Sequence, residues 1–436
     1  MMGFGVAATS VVAMLTMAIL GRLAQGSWLA PAPVAAILWA FVAGLPLVIA
    51  PDYPFRASGY AYLGVAVVVS TLTGIVATHF ARRTSRNGAG AHTGRWRRVL
   101  TGRSTYTLAL IAAFGAPIAL YLSAVNSFGI TSLPSLAAAV TRARYETGAS
   151  DPLAVRALIA SVYASAALGG WNRGVGRISL PRSVLWLLPM LGVVSINTGR
   201  SGLVLSGVLW IAFWIAGRRT ARRPALPSAF RLTAIGVGAF TALFGLFFAT
   251  QFLRIGEVDA ERIASVYDRS RVYFAGGAPA FAVWFDAEAG RTRTWGTATF
   301  ASIADAVDLG ARDRGKYTRP VELSEGQTGN IYTVFRPLIE DFGVVGSLVV
   351  WSILAILAGS AWGRRRTTGS GSAGPLAVYY AVILFSPVTT IFQWTSSTLV
   401  LLVLPLVLAP PPAQGASLGT PTLARDATAQ RMEARS

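Results

Sequence analysis

Long apolar runs separated by short polar, arginine-bearing segments make up most of the chain. A helix that crosses a membrane needs about 20 mostly apolar residues. On that rule the runs predict eleven spans: Gly3–Leu20, Pro33–Ala50, Tyr60–Phe80, Thr105–Val125, Leu158–Gly170, Val184–Asn197, Ser201–Ala216, Leu232–Phe252, Gly343–Trp362, Leu376–Gln393 and Ser397–Leu408. The fifth, sixth and last are short for the task. The predicted fold is an all-α polytopic helical bundle. Residues 1–253 carry spans one to eight, 254–341 form one large extramembrane segment, and 342–409 carry the last three spans. Residues 410–436 read as a disordered cytoplasmic tail. No Arg or Lys precedes the first span, which fits a secretory signal peptide poorly. No internal repeat is visible.

Composition sharpens this reading. Of 436 residues, 53% are hydrophobic and 13% charged, against roughly 25% charged in soluble domains. There is no cysteine, which excludes disulfides, thiolate metal sites and a cysteine nucleophile, and the two histidines are His79 and His92. A net charge of +20 raises the question of nucleic acid. The basic residues, however, are all Arg except Lys316, and they lie between apolar runs. That is a topology signal rather than nucleic-acid binding. With the N-terminus outside and the C-terminus inside, cytoplasmic segments collect 22 basic residues and only Asp426 and Glu433 as acids. The positive-inside rule selects that orientation. The cytoplasmic arginines then need no further role than holding topology and touching anionic headgroups. The expected location is the cytoplasmic (inner) membrane.

The extramembrane segment from about Arg254 to Asp341 holds 11 basic and 13 acidic residues. A long translocated loop escapes the charge rule, and loops beyond about 15 residues are usually functional or disordered. This one is rich in aromatic residues, so it is expected to fold against the outer ends of the spans. Within it, Val258, Ile263, Val266 and Tyr267 fall at helical spacing over Glu257–Arg271, predicting an amphipathic interfacial helix. Arg269 and Arg271 lie on adjacent faces at its end, where they either snorkel to headgroups or meet a ligand.

Two further segments carry candidate chemistry. In Ser195-Ile-Asn-Thr-Gly-Arg-Ser-Gly202 the sixth span has only about a dozen residues before Ser195, so this polar turn is expected to be either the end of a short helix or recessed. The seventh span would open there with its free N–H groups beside Arg200 and Ser201. A helix N-terminus with an arginine fork suits phosphate, which is the favoured reading over an interfacial Arg in a tight turn with Gly199 and Gly202. The second is Gly329-Asn-Ile-Tyr-Thr-Val-Phe-Arg-Pro-Leu-Ile-Glu-Asp-Phe-Gly343, entering the ninth span with Pro337 suited to a first helical turn. Tyr332 and Phe335 suit an aromatic belt or a sugar-stacking surface. Glu340 or Asp341, facing a cavity, would serve as a general base toward a hydroxyl; periodicity does not choose between them. Asp52, between Pro51 and Pro54, reads as a loop cap. Arg142, Arg144 and Glu146 follow a helix start at Ser132–Pro134. Asp305 and Asp308 make no metal pattern, and nothing in the sequence asks for a metal or a cofactor.

The Thr-Gly-Arg-Ser-Gly turn opening an apolar helix, the large late outer loop with Tyr273-Phe-Ala-Gly-Gly-Ala-Pro-Ala-Phe281, and the Asn-Ile-Tyr-Thr…Glu-Asp-Phe-Gly-Val-Val-Gly entry together resemble the O-antigen polymerase family. The motifs cover roughly Ser195 to Trp362. The resemblance implies a glycosyltransferase that polymerises polyprenyl-diphosphate-linked oligosaccharide repeat units on the outer face of the membrane for a surface polysaccharide. Arg200 would occupy the motif's arginine and stabilise the leaving diphosphate. Asn197 and Ser201 share its turn, while Arg269, Arg271 and Arg336 would meet the diphosphate or a charged sugar. Its partners would be the lipid-linked oligosaccharide, membrane lipids, a chain-length regulator and a flippase. The related ligases place a functional His in the outer loop, and no His lies on that side here. The alternatives are a lipid-linked oligosaccharide flippase, which would want charge inside the spans, and a ligase-like or cell-wall glycosyltransferase of similar layout.

Overall fold

The computed structural model describes residues 2–87, 103–146, 153–197, 200–220, 260–291, 293–307, 320–330, 332–364 and 373–407, with the single positions 245 and 309. They are mostly helical. In chain order the helices are α1 (Met2–Gln25), α2 (Pro31–Ile49), α3 (Ala57–Asn87), α4 (Arg103–Phe128), α5 (Leu133–Glu146), α6 (Leu153–Val175), α7 (Leu180–Val184), α8 (Leu188–Asn197), α9 (Arg200–Thr220), α10 (Ala260–Ala275), α11 (Gly277–Glu288) and α12 (Ala301–Ala306). A two-stranded antiparallel hairpin follows, β1 (Val321–Ser324) and β2 (Gln327–Gly329), and then α13 (Phe335–Gly363), α14 (Ala373–Phe385) and α15 (Thr395–Val407). The hairpin is absent from the all-α expectation. It turns at Glu325–Gly326, where Gly326 takes φ 71°, a backbone state that glycine adopts without steric cost.

Among the described residues, seven helices are long and apolar enough to cross a membrane, and α14 and α15 are shorter apolar helices. The hydropathy runs predicted eleven spans. Of these, Leu232–Phe252 lies outside the described residues apart from position 245, and 410–436 lie outside them entirely. The fifth prediction corresponds to α6, a 23-residue helix that carries Arg156 and Arg173 and is not among the seven. The sixth is longer than predicted: the apolar stretch starts at Leu180 rather than Val184, and a 3-10 turn over Leu185–Leu187 breaks it. At 18 residues it reaches the length of a span, so the shortness that led to the two alternatives for Ser195–Gly202, a short helix end or a recessed turn, is absent.

The outward faces of these helices are what a bilayer requires. In α1 the buried positions Ala7, Ser10, Met14, Ala18, Gly21 and Gln25 form one stripe at three- and four-residue spacing. Val12, Ile19 and Leu23 on the other side are more than half exposed. Apolar surface along a whole helix would be an aggregation patch in water and is ordinary against lipid tails. Association between such helices then relies on close packing at small residues. Gly359 of α13 illustrates it: a Cβ there would sit 2.2 Å from the carbonyl oxygen of Gly74 in α3. A Gly359→Leu substitution must therefore push α3 and α13 apart. The expected loss is about 2–3 kcal/mol, read as a lowered Tm of the purified protein in detergent; an unchanged Tm would contradict this packing.

Contacts fix which helix ends lie together. Gln25 at the end of α1, Thr78 and Arg82 in α3, Arg219 in α9 and Trp362 in α13 meet at one end. Arg82 donates to the carbonyls of Ala24 (2.9 Å) and Gln25 (2.8 Å), and Arg219 to that of Trp362 (2.6 Å). Arg219 also stacks on the Trp362 ring at 4.2 Å. Cations at helix C-termini satisfy orphan carbonyls and the dipole, so these two arginines tie helices together and do more than mark topology. The opposite end is covered by the segment from α10 to the start of α13. There Gly3 abuts Phe55, Gly59 abuts Ala282 of α11, and Ser58 hydrogen-bonds to Asp286.

Candidate functional site

The covered end is built around the entry to α13. Thr333, a β-branched residue, is held at φ 65°, a genuine outlier for that residue type. Its backbone neighbour Val334 donates to the carbonyl of Ser386 (2.8 Å), so the entry is clamped to the segment that joins α14 and α15. The clamp sets the direction in which α13 starts. Eight residues later Gly343 has φ 71° and ψ 177°, and the helix kinks there. Residues 335–342 are thus a short helix set at an angle on the end of the straight span, which begins where the hydropathy pattern placed it.

Arg336 lies in the first turn of this short helix and Glu340 one turn later, the spacing at which helical side chains meet. Arg336 Nε donates to Glu340 Oε1 at 2.8 Å. The guanidinium lies against two aromatic rings, 4.2 Å from the Tyr332 centroid and 5.2 Å from that of Trp284. Arg336 is only 7% exposed, so the pair operates with little water and correspondingly strong electrostatics. Burial pushes the Tyr332 phenol above its usual range, opposed by the nearby Arg336 charge.

The aromatic expectations for this segment change. Tyr332 and Phe335 are both fully buried. Phe335 packs on Trp39 (4.9 Å between ring centroids), Trp351 (5.0 Å) and Tyr62 (5.5 Å), and one face of Tyr332 is taken by Arg336. Neither ring is open to stack on a sugar in this conformation. They form the floor beneath the ion pair.

Glu340 and Asp341, which periodicity left equivalent, have different surroundings. Asp341 is 0% exposed. Its Oδ1 accepts from the Thr294 hydroxyl and from Ala298 N (3.1 Å), and its Oδ2 accepts from Thr299 N (2.6 Å). Three donors from one segment engage both oxygens of the carboxylate, which therefore organises the 294–299 turn. Glu340 faces Arg336 with its side chain 18% exposed. Of the two, Glu340 is the one a substrate can reach.

Arg271 forms a second charged centre. It pairs with Asp52, and its guanidinium lies 5.2 Å from the Tyr53 ring. The Tyr53 hydroxyl donates to Gln327 Oε1 (3.0 Å), and burial pushes that phenol up to about 12. Asp52 is thus an ion-pair partner and more than a loop cap. Arg269, two residues before Arg271, is exposed. The amphipathic helix that carries both spans Ala260–Ala275, with Val266 fully buried and Tyr267 largely exposed; the expected start at Glu257 and Val258 lies outside the described residues. The β1–β2 hairpin joins the two centres, because Val321 hydrogen-bonds to Tyr332 through its backbone while Gln327 reaches Tyr53.

The Ser195–Gly202 turn lies at the same end, since α9 starts there and finishes with Arg219 at the arginine-rich end. Asn197 is 9% exposed and its Oδ1 has no hydrogen-bond partner. Ser201 is exposed on the first turn of α9. Arg200 opens that helix by its backbone; its side chain, with Thr198 and Gly199, lies outside the described residues. The structure therefore brings Tyr332, Arg336, Glu340 and Asp341 into one cluster and links Arg271 to it through the hairpin. Asn197 and Ser201 occupy a separate station on the same end.

The sequence reading missed the connection between α14 and α15. The predicted spans Leu376–Gln393 and Ser397–Leu408 are instead two 13-residue helices, joined by backbone that is irregular except for a 3-10 turn over Ile391–Gln393. The connection and the first turn of α15 are rich in buried hydroxyls: Ser386, Thr389 and Thr390 in the connection, and Ser396, Ser397 and Thr398 in the helix. The signal available in the sequence was the hydroxyl-dense run Thr395-Ser-Ser-Thr398 following Thr389-Thr390, inside what otherwise reads as two apolar spans. Among the described residues no three His, Asp or Glu side chains gather as a metal would need.

The architecture defines a class: a polytopic helical membrane protein with one end closed by a folded, charged segment. No family model, curated protein or solved structure matches the chain.

Proposed function

We propose that this chain is a membrane glycosyltransferase that polymerises polyprenyl-diphosphate-linked oligosaccharide repeat units on the outer face of the cytoplasmic membrane. The observation that carries the reading is the Arg336–Glu340 pair, a water-poor cation–carboxylate centre held at the mouth of a span beneath a folded cap, at the end opposite the arginine-rich one. Under the positive-inside rule the arginine-rich end is cytoplasmic, which puts the cap outside, where lipid-linked units await assembly. The resemblance of the Thr198–Gly202 turn and the α13 entry to the O-antigen polymerase pattern supports the same reading.

The chemistry follows from the groups present. Glu340 accepts the proton of the incoming unit's attacking hydroxyl. The new carbon–oxygen bond forms at the anomeric carbon of the growing chain as its bond to the lipid diphosphate breaks, and the diphosphate leaves with the electron pair. Burial raises the Glu340 carboxyl above its usual range, which suits a proton acceptor, while the Arg336 hydrogen bond and charge oppose that rise and aim the carboxylate. Arg200 and Arg271 supply fixed positive charge where the leaving group builds up negative charge. The unpaired acceptor Asn197 Oδ1 suits a sugar hydroxyl. Asp341 acts as a positioning residue through the 294–299 turn.

Arg200 gives the direct test. An Arg200→Ala protein that reaches the membrane at wild-type level is expected to lose polymer output by 100-fold or more, about 2.7 kcal/mol in the barrier. Full-length polymer at wild-type yield would overturn the assignment.

A further inference from the structure

Three parts of the chain meet at the covered end on the far side of the Arg336 centre: the start of α6, residues 299–302 leading into α12, and the connection between α14 and α15 with the first turn of α15. Ser396 donates to the carbonyl of Arg156 (3.0 Å). Thr390 donates to the carbonyl of Thr299 (3.0 Å), Ser302 and Thr398 share a hydrogen bond of 2.7 Å, and the Phe300 and Phe392 rings are 5.4 Å apart. These contacts consume most of the polar groups present. Three remain: among the described residues, Arg156 Nε, Thr299 Oγ1 and Thr389 Oγ1 are all buried with no hydrogen-bond partner. Thr299 is 4% and Thr389 6% exposed. An arginine cannot shed its charge, and a buried donor without an acceptor carries a penalty of about 1–3 kcal/mol, larger for a charged group. Three unmet donors, one of them cationic, on elements that touch each other are the complement of an oxygen-rich anion.

We propose that Arg156, with the hydroxyls of Thr299 and Thr389, forms a second diphosphate-binding site, distinct from the one at Arg200. The inference rests on the polymerase reading in one respect: that reaction joins two lipid-linked units, each with its own diphosphate, so the protein must hold two anions apart. Arg156 is the permanently charged fork, suited to bidentate contact with phosphate oxygens, and the hydroxyls donate to the remaining oxygens. Asp341 acts on this site indirectly, because it holds the backbone N–H of Thr299 (2.6 Å) and so fixes where that hydroxyl points.

The experiment is binding of farnesyl diphosphate to the purified full chain in phosphatidylcholine nanodiscs, with inorganic diphosphate as a soluble control and phosphatidylglycerol nanodiscs as a bilayer control. An Arg200→Ala background isolates the second site. Arg156→Gln in that background is expected to weaken farnesyl diphosphate binding at least tenfold, Arg156→Lys less, and Thr299→Val and Thr389→Val several-fold each, all with near wild-type Tm. Unchanged affinity in Arg156→Gln would overturn the proposal. So would loss of the probe in phosphatidylglycerol nanodiscs, since the site would then belong to bilayer headgroups. Inorganic diphosphate binding as tightly as the prenyl probe would show a free-anion site and equally overturn it. None of these readouts requires sugar transfer, so failure of the polymerase reading is seen separately, in the polymer and lipid-linked intermediates of cells.

Discussion

Truncating Arg336 to alanine is expected to abolish polymer formation and to destabilise the covered end by about 3 kcal/mol or more. The guanidinium is the partner of Glu340, and it packs over Tyr332 and Trp284. Its loss leaves a carboxylate in a water-poor site with no cation, and leaves a hole beside two aromatic rings. Arg336→Lys keeps the charge but lacks the planar fork that lies against the rings, so it is expected to recover part of the stability and little of the activity. A double-mutant cycle separates the two effects. Arg336→Ala with Glu340→Ala should be less destabilised than the two single changes added together, because the uncompensated charge is gone, while activity stays lost. Strict additivity in unfolding measurements would mean that the pair is not coupled.

Asp341→Ala is expected to be comparably severe for a different reason. The carboxylate accepts from the Thr294 hydroxyl and from the backbone N–H groups of Ala298 and Thr299. Removing it orphans buried donors at about 1–3 kcal/mol each, so a loss on the order of 3 kcal/mol follows. Asp341→Asn retains one acceptor oxygen and should lose roughly half as much. The consequence is local before it is global: the 294–299 turn should become open to limited proteolysis in Asp341→Ala while the spans stay intact. A turn as protease-resistant as wild type would show that Asp341 does not organise it.

The straight spans were legible in the sequence because a bilayer selects for one property, an unbroken apolar length, and α1 to α4 fall within a few residues of their hydropathy runs. The runs failed where the backbone breaks inside an apolar stretch. The 3-10 turn at Leu185–Leu187 and the connection between α14 and α15 are such breaks, whereas the kink at Gly343 falls where the hydropathy run begins. Arg336 with Glu340 was readable in principle from the four-residue spacing. Asp52 with Arg271 was not, since the partners lie 219 positions apart. Asp341 and Glu340 are adjacent and chemically alike, and only the fold shows that one is buried under the 294–299 turn while the other meets an arginine. Tyr332 and Phe335 misled for a related reason: an aromatic side chain at a membrane boundary is compatible with a belt, a sugar platform or a core, and burial alone decides.

The central claim is joining of lipid-linked repeat units on the outer face, and mass spectrometry of polyprenyl-diphosphate-linked sugars from a strain lacking the gene, with outer-leaflet accessibility measured in parallel, tests it most directly. The account predicts single repeat units accumulating on the outer leaflet with no long polymer. Units trapped on the inner leaflet would identify a flippase, and long polymer retained on lipid would identify a ligase; either result would contradict it.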